Sequence, residues 1–409
     1  MEKPRYLVMV TSENNNKFYK QIPVDDNTWI AEYGRIGSTS TRRSYPMSSW
    51  NSKYNEKIRK GYEDKSDLIE EMIVEIKKDE VEYNEIENRA IAEIVERLQS
   101  MARKAISANY TVSSDSVTQA MVDEAQNMLI ELTKDMSVTK FNNLLLKLFS
   151  TIPRKMTEVS KYLAKSKSDF AEIISREQNL LDVMRGQVVQ NKQKKTEVEN
   201  HIEKKDETIL EHLGLVFEEC DSEDIAKIQM ALGESVGKFS RAWKVTNIET
   251  QKRYDEFVKK EKIRKKKLLF HGSRNENWWS IISTGLVLRP TNAVITGKLY
   301  GMGIYFAPKA RKSIGYTSLN GSYWASGHSD VAYMALMEVA YGKPYDVHSY
   351  DSRFNGMTYE TLQKLQAGAN CLHAHAGANM GGYSSLRNDE IVIYKEEQCT
   401  IKYLVEIKN

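Results

Sequence analysis

The chain has 409 residues, 41% hydrophobic and 28% charged, an ordinary balance for a folded soluble protein and enough for two or three domains at roughly 150 residues each. Its 59 basic and 56 acidic residues leave a net +3, which excludes a generally basic nucleic-acid coat and confines any DNA site to a local patch. Cys220, Cys371 and Cys399 are too far apart for a disulfide scaffold or a cysteine zinc module, and no apolar run approaches ~18 residues, so a soluble intracellular chain that makes no membrane contact is expected.

Residues 1 to about 65 read as β-rich. Tyr6–Val10, Lys17–Ile22 and Thr28–Tyr33 are short runs of β-branched and aromatic residues, separated by Asn14-Asn15-Asn16, Asp25-Asp26-Asn27 and Gly34 to Gly37. A helix is expected from about Ser48 to Lys60, then a charged joint from Asp64 to Asn88. From residue 88 to about 187 the period becomes helical. Ile91, Ile94, Val95 and Leu98 form one stripe, and Phe141, Leu144, Leu145 and Leu148 another. Val117, Met121, Met128 and Leu132 give a third, with Ser114, Asp115 and Ser116 as N-cap candidates, and Pro153 ends the Phe141 helix. Phe170, Ile173, Ile174, Leu181 and Met184 predict one more helix, followed by a charged linker or helix extension from Lys192 to Glu207. Beyond Lys267 the chain is strand-rich and holds most of its 21 glycines, which permit close backbone approach to a ligand.

Three segments there carry chemistry: Leu268-Leu269-Phe270-His271-Gly272-Ser273-Arg274; Tyr300-Gly301-Met302-Gly303-Ile304-Tyr305-Phe306-Ala307 with Lys312-Ser313-Ile314-Gly315-Tyr316; and Arg387-Asn388-Asp389-Glu390-Ile391-Val392-Ile393-Tyr394. Singly, each reads more readily as a strand end or core rim. Gly301-Met302-Gly303 lacks the third glycine and the helix of a dinucleotide fingerprint, which excludes hydride transfer. His373 and His375 alternate in a Gly/Ala-rich stretch with no further ligand at suitable sequence spacing, so no metal is expected. Lys262 to Lys267 reads as a solvated edge before the buried strand or as a nuclear address.

Together and in this order, the three segments resemble the poly(ADP-ribose) polymerase family of diphtheria-toxin-like ADP-ribosyltransferases, whose His-Tyr-Glu triad matches His271, Tyr305 and Glu390. The resemblance implies NAD as substrate, with no metal. It gives the nicotinamide pocket to Gly272, Ser313, Tyr305 and Tyr316, and places His271, Ser273 and Arg274 on the dinucleotide and Lys312 toward the acceptor side. Glu390 is the carboxylate that offsets the developing charge of an oxocarbenium-like transition state.

The N-terminal block resembles a WGR domain, through Asn14-Asn15-Asn16-Lys17-Phe18-Tyr19 and Tyr33-Gly34-Arg35-Ile36-Gly37, with Tyr33 in place of the naming tryptophan. From Glu32 to Lys65 eight basic residues face four acids, which suits contact with a DNA break through Arg35, Tyr33, Trp29 and Lys17. The helical block resembles the family's regulatory helical domain, with Asp182 toward the adenosine end of NAD and Gln178 replacing a second acid. Val287 and Pro308 are further departures from the family's pattern.

The expected architecture is α+β and multidomain: a small β-rich WGR-like domain over 1–80, an all-α bundle over 81–190, and a mixed α/β transferase domain with split antiparallel sheets over 191–409. The expected function is DNA-break-activated poly(ADP-ribosyl)ation of protein acceptors, itself included, by a monomer in the DNA damage response. The compartment is nuclear in a eukaryote and cytoplasm or nucleoid in a bacterium. Mono-ADP-ribosylation of protein or DNA ends, or a weakly catalytic DNA-end scaffold, are the alternatives.

Overall fold

The computed structural model describes residues 2–66, 82–110, 117–199, 204–288, 299–322, 325, 327–380 and 385–409, with 82, 189–199 and 204–206 described by backbone alone. By packing, the chain forms two compact units, Met1–Glu82 with Arg103–Lys204 and Tyr83–Ala102 with Lys205–Asn409.

The first unit opens on an antiparallel sheet of β1 (Arg5–Val10), β2 (Asn16–Pro23), β3 (Thr28–Arg35), β4 (Thr41–Pro46) and β5 (Glu63–Asp64), ordered β4-β3-β2-β1-β5, with α1 (Trp50–Arg59) against it. The two-residue alternation of β3 sends Trp29 and Ala31 to the inner face, where they pack with Leu7, Tyr19 and Trp50. Trp29 is fully buried, edge-on to Trp50 at 5.4 Å, and its indole N–H donates to the Pro46 carbonyl and the Ser49 hydroxyl. This corrects the expectation of Trp29 as a DNA contact: an indole inside the core has no face for a base.

Four helices follow, α2 (Arg89–Asn109), α3 (Gln119–Leu132), α4 (Val138–Thr151) and α5 (Phe170–Glu199). The division between the units falls inside α2, whereas the sequence places this whole helix in the bundle. Thr118 caps α3 by accepting from the Met121 N–H at 3.1 Å, and the expected caps Ser114 to Ser116 lie outside the described residues, as does most of the charged joint after residue 66. In α4, Phe141, Leu145 and Leu148 are buried, and Phe141 stacks on Phe170 at 3.8 Å. The charged segment after 188 continues α5 through Glu199, because Lys, Gln and Glu are good helix formers.

Two further features organise this unit. Arg154, just past the helix-ending Pro153, forms an ion pair with Glu177 of α5, and the two side chains are only 2% and 3% exposed. The aromatic rings of Tyr110, Phe149 and Tyr162 lie 5.2 to 5.9 Å from the guanidinium. The β1–β2 turn, with Asn14 at φ 66°, also docks here: buried Asn16 donates to the Arg154 carbonyl at 3.0 Å, and Val159 N–H donates to the Asn14 side chain at 3.1 Å.

At the division, β6 (Glu82–Asn84) pairs with β7 (Lys204–Thr208), each with its first residue in the first unit and the rest in the second, and α6 (Ile209–His212) follows. The first part of α2 is fastened here by Arg97, which donates to Glu406 and to the Tyr333 hydroxyl, each at 3.2 Å. The next elements are β8 (Leu215–Glu219), α7 (Ser222–Leu232), β9 (Phe239–Asn247), α8 (Ile248–Lys260), β10 (Lys267–Gly272) and α9 (Trp278–Thr284). Then come β11 (Ile304–Phe306), α10 (Ala310–Ile314), β12 (Val331–Val339), β13 (Pro344–Ser349), α11 (Tyr359–Leu365), β14 (Cys371–Asn379), β15 (Glu390–Ile393) and β16 (Cys399–Lys408). One sheet has the order β10-β12-β16-β9-β8 and is antiparallel throughout; the other has the order β11-β15-β14-β13. The split antiparallel arrangement needs one correction, since β13 and β14 run parallel. The unit is mixed α+β. Phe270 and Ala307 exchange backbone hydrogen bonds at 2.9 and 3.0 Å, joining β10 to the end of β11. The basic run before β10 is partly spent on packing, with Lys265 and Lys267 over the Tyr341 ring and Lys266 over Tyr254.

Candidate active site

The junction of β10 and β11 brings the three sequence segments together. His271, at the end of β10, donates from Nδ1 to the Tyr305 carbonyl at 3.0 Å, because a carbonyl oxygen only accepts. The proton therefore sits on Nδ1. The next residue, Gly272, lies against α10: a Cβ there would fall 2.0 Å from the Ser313 carbonyl oxygen, so only glycine allows this approach. Gly303 is similarly constrained, since a Cβ would lie 2.2 Å from Val392. Ser273 accepts from the Asn277 amide at 3.0 Å, and Arg274 is half-buried where the chain turns toward α9.

Tyr305 pairs with Val392 across β11 and β15, and Ala374 pairs with Glu390 across β14 and β15. Residues two apart on a strand share a face, so Tyr305, Val392 and Glu390 line one side of this sheet. The Tyr305 hydroxyl is clamped, donating to the Gly301 carbonyl at 3.1 Å and accepting from the Tyr300 N–H at 3.0 Å. Burial holds it protonated far above the usual phenol range. This side chain is a fixed wall, not an acid or base.

Glu390 pairs with Lys312 of α10, and the two side chains are 13% and 14% exposed. Burial draws the Lys312 ammonium down to about 8, partly offset by the nearby Asp389 carboxylate. The sequence places Lys312 toward the acceptor side; the structure gives it the triad carboxylate as partner. Asp389 faces a different group, accepting from His373 Nε2 at 2.8 Å and from the Ala376 N–H at 2.9 Å. Two consecutive acids thus serve two neighbourhoods, which no pattern in the sequence distinguishes. Ser313 is buried, and Tyr316 leaves 42% of its surface exposed.

The other expected site residues belong to the first unit. Asp182 is buried on α5 and accepts from the Gln178 amide at 3.1 Å. Lys17 is exposed and pairs across β2 and β3 with Arg35. Tyr33 is half-buried and stacks on Tyr19 at 5.9 Å. The Arg35 guanidinium donates to the Asn14 carbonyl and side chain at 3.0 and 2.9 Å, and to the Met156 and Thr157 carbonyls at 3.0 and 2.8 Å.

Residues 222–409, the span holding all three triad positions, match the family model for the poly(ADP-ribose) polymerase catalytic domain. The chain is 30% identical over 234 residues to uncharacterized protein 101L of Invertebrate iridescent virus 6, covering 56% of this chain and 94% of the viral one. The chain belongs to the poly(ADP-ribose) polymerase family. It is also 32% identical over 173 residues to the poly [ADP-ribose] polymerase of Sarcophaga peregrina, covering 40% of this chain and 17% of that protein. With human poly [ADP-ribose] polymerase 2 it shares 28% identity over 167 residues, 36% of this chain and 27% of the relative. As a family member it is an NAD⁺ ADP-ribosyltransferase, with NAD as substrate and no metal indicated for the family's reaction. Among the described residues, no helix is long and apolar enough to cross a membrane.

Proposed function

We propose that this family member is a DNA-break-activated poly(ADP-ribose) polymerase that modifies proteins, itself included, in a DNA damage response. The observation that carries the reading is the shared face of Tyr305 and Glu390 beside the Gly272–Ser313 approach, with a cation paired to the carboxylate. Nicotinamide stacks on Tyr316 between the Tyr305 wall and the backbone of Gly272, with its carboxamide toward Ser313. His271, its ring oriented by the Nδ1–H bond to the Tyr305 carbonyl, takes a hydroxyl of the adenosine ribose, and Ser273 and Arg274 flank the same ligand. The glycosidic bond breaks with its electron pair leaving on nicotinamide. Glu390 stabilises the positive ribose carbon through the adjacent hydroxyl, and the acceptor adds to that carbon as it loses its proton. A carboxylate at this position also holds a second ribose hydroxyl for attack, which favours chain elongation over a single transfer.

The N-terminal sheet acts as a WGR-like sensor of DNA breaks. Its Tyr33-Gly34-Arg35 turn, exposed Lys17 and the exposed Arg43 of β4 support the reading, and DNA relieves a restraint held by the helical bundle. The test is incorporation of labelled NAD into polymer by the full chain with and without nicked duplex. Polymer that rises with nicks and vanishes in Glu390→Gln is the expected result. Single ADP-ribose units, or incorporation indifferent to nicks, would overturn the polymerase or the activation part respectively.

A further inference from the structure

We propose that Asp346, His373 and His375 form a site for one divalent transition-metal cation of the Zn²⁺ type. Sequence spacing offers the two histidines no third ligand, but the fold does. The parallel pairing of β13 and β14 sets Asp346 opposite His373, and His375, two residues along β14, shares that face. One ligand atom from each of the three lies within 4.8 Å of the others. Asp346 Oδ1 is 2.7 Å from His375 Nε2 and 4.0 Å from His373 Nδ1. A tetrahedral ion with bonds of about 2.0–2.2 Å places its ligand atoms about 3.4 Å apart, so the observed separations bracket the required one.

Asp389 accepts from His373 Nε2 at 2.8 Å, which is how metal-bound histidines are held: the outer carboxylate fixes the proton on one nitrogen and leaves the other lone pair inward. That lone pair is on Nδ1, where the Tyr341 hydroxyl now donates at 2.8 Å, so the tyrosine marks the position an ion would take over. His373 is buried, whereas the Asp346 and His375 side chains are 48% and 30% exposed, so water can complete the shell. Two imidazoles and one carboxylate suit zinc-like ions over calcium or magnesium, which prefer all-oxygen shells. His348, stacked on His375 at 4.5 Å, limits that ring's rotation. The ion would be structural, tying β13 to β14 and, through His373 and Asp389, steadying the strand start that carries Glu390.

The test is equilibrium dialysis of the chelator-stripped full chain against Co²⁺ alone, followed by displacement with Zn²⁺. One Co²⁺ per chain, with the visible absorption of a four- or five-coordinate site, is the expected result. Losing an outer carboxylate alone weakens such sites ~10–100-fold, so His375→Ala and Asp346→Asn, which remove ligands, should each weaken binding by more than ~10²-fold. Both side chains are partly exposed, so the variants should retain the wild-type circular dichroism. Tyr341→Phe should leave binding intact or tighter, because the hydroxyl competes for Nδ1. No bound Co²⁺ in the wild type, or stoichiometric binding that survives the His375→Ala, Asp346→Asn double variant, would overturn the site.

Discussion

Each unit holds one notable cation–carboxylate pair, and the two are built for different purposes. Arg154–Glu177 is sealed among aromatic rings, with both side chains almost wholly out of water. Arginine keeps its charge at any accessible pH, so such a pair is a permanent fastener whose partners cannot be separated without leaving a buried charge. Lys312–Glu390 is several-fold more exposed and uses a lysine whose proton affinity burial has already reduced. A lysine can give up its charge, and a carboxylate near water can exchange one partner for a substrate hydroxyl. The same two charges are thus locked in one place and exchangeable in the other, the difference being set by burial and by the choice of cation.

The largest effect should come from breaking the fastener. Glu177→Gln leaves Arg154 buried without its counter-charge and should cost about 3–5 kcal/mol in the unfolding of the first unit, read by denaturant titration. A loss below 1 kcal/mol would make the two pairs equivalent. Next, Glu390→Gln should lower NAD turnover by ~10²–10³-fold while thermal stability stays near wild type, which separates a reacting carboxylate from a structural one. Arg35→Ala removes a guanidinium spread over four carbonyl oxygens and should cost roughly 1.5–3 kcal/mol of the stability of the first unit. If instead stability holds and only binding to nicked duplex falls, Arg35 serves DNA and not the docking of the β1–β2 turn.

The smallest effect is a pH limb. Lys312 holds its proton to about pH 8 when folded and to about 10.5 when unfolded. Between those values the unfolded chain binds more protons, so the stability contributed by this group rises with pH across that window; below pH 8 its burial penalty is fully present. The readout is the unfolding free energy followed across that pH window. Lys312→Met should remove that limb.

Much of this was legible in the sequence. The apolar stripes of α2 and α4 reported helices because a 3.6-residue period has one buried face. The triad segments were readable because each is local: a strand end with His271-Gly272, a turn that feeds Tyr305, and a strand start at Glu390. Trp29 misled, since an aromatic amid basic residues looks the same in sequence whether its strand face turns inward or outward. What the sequence could not supply were pairings across the fold. Arg154 with Glu177, Lys312 with Glu390, Asp389 with His373, and Asp346 with the two histidines all join different elements, and each depends on strand register and helix placement. By itself the sequence determined the family, the segments that carry His271, Tyr305 and Glu390, and most of the helices, because those reside in local order and period. Tertiary structure alone decided which charge meets which, because a partner is fixed by distance in space, and neighbouring residues such as Asp389 and Glu390 reach different partners.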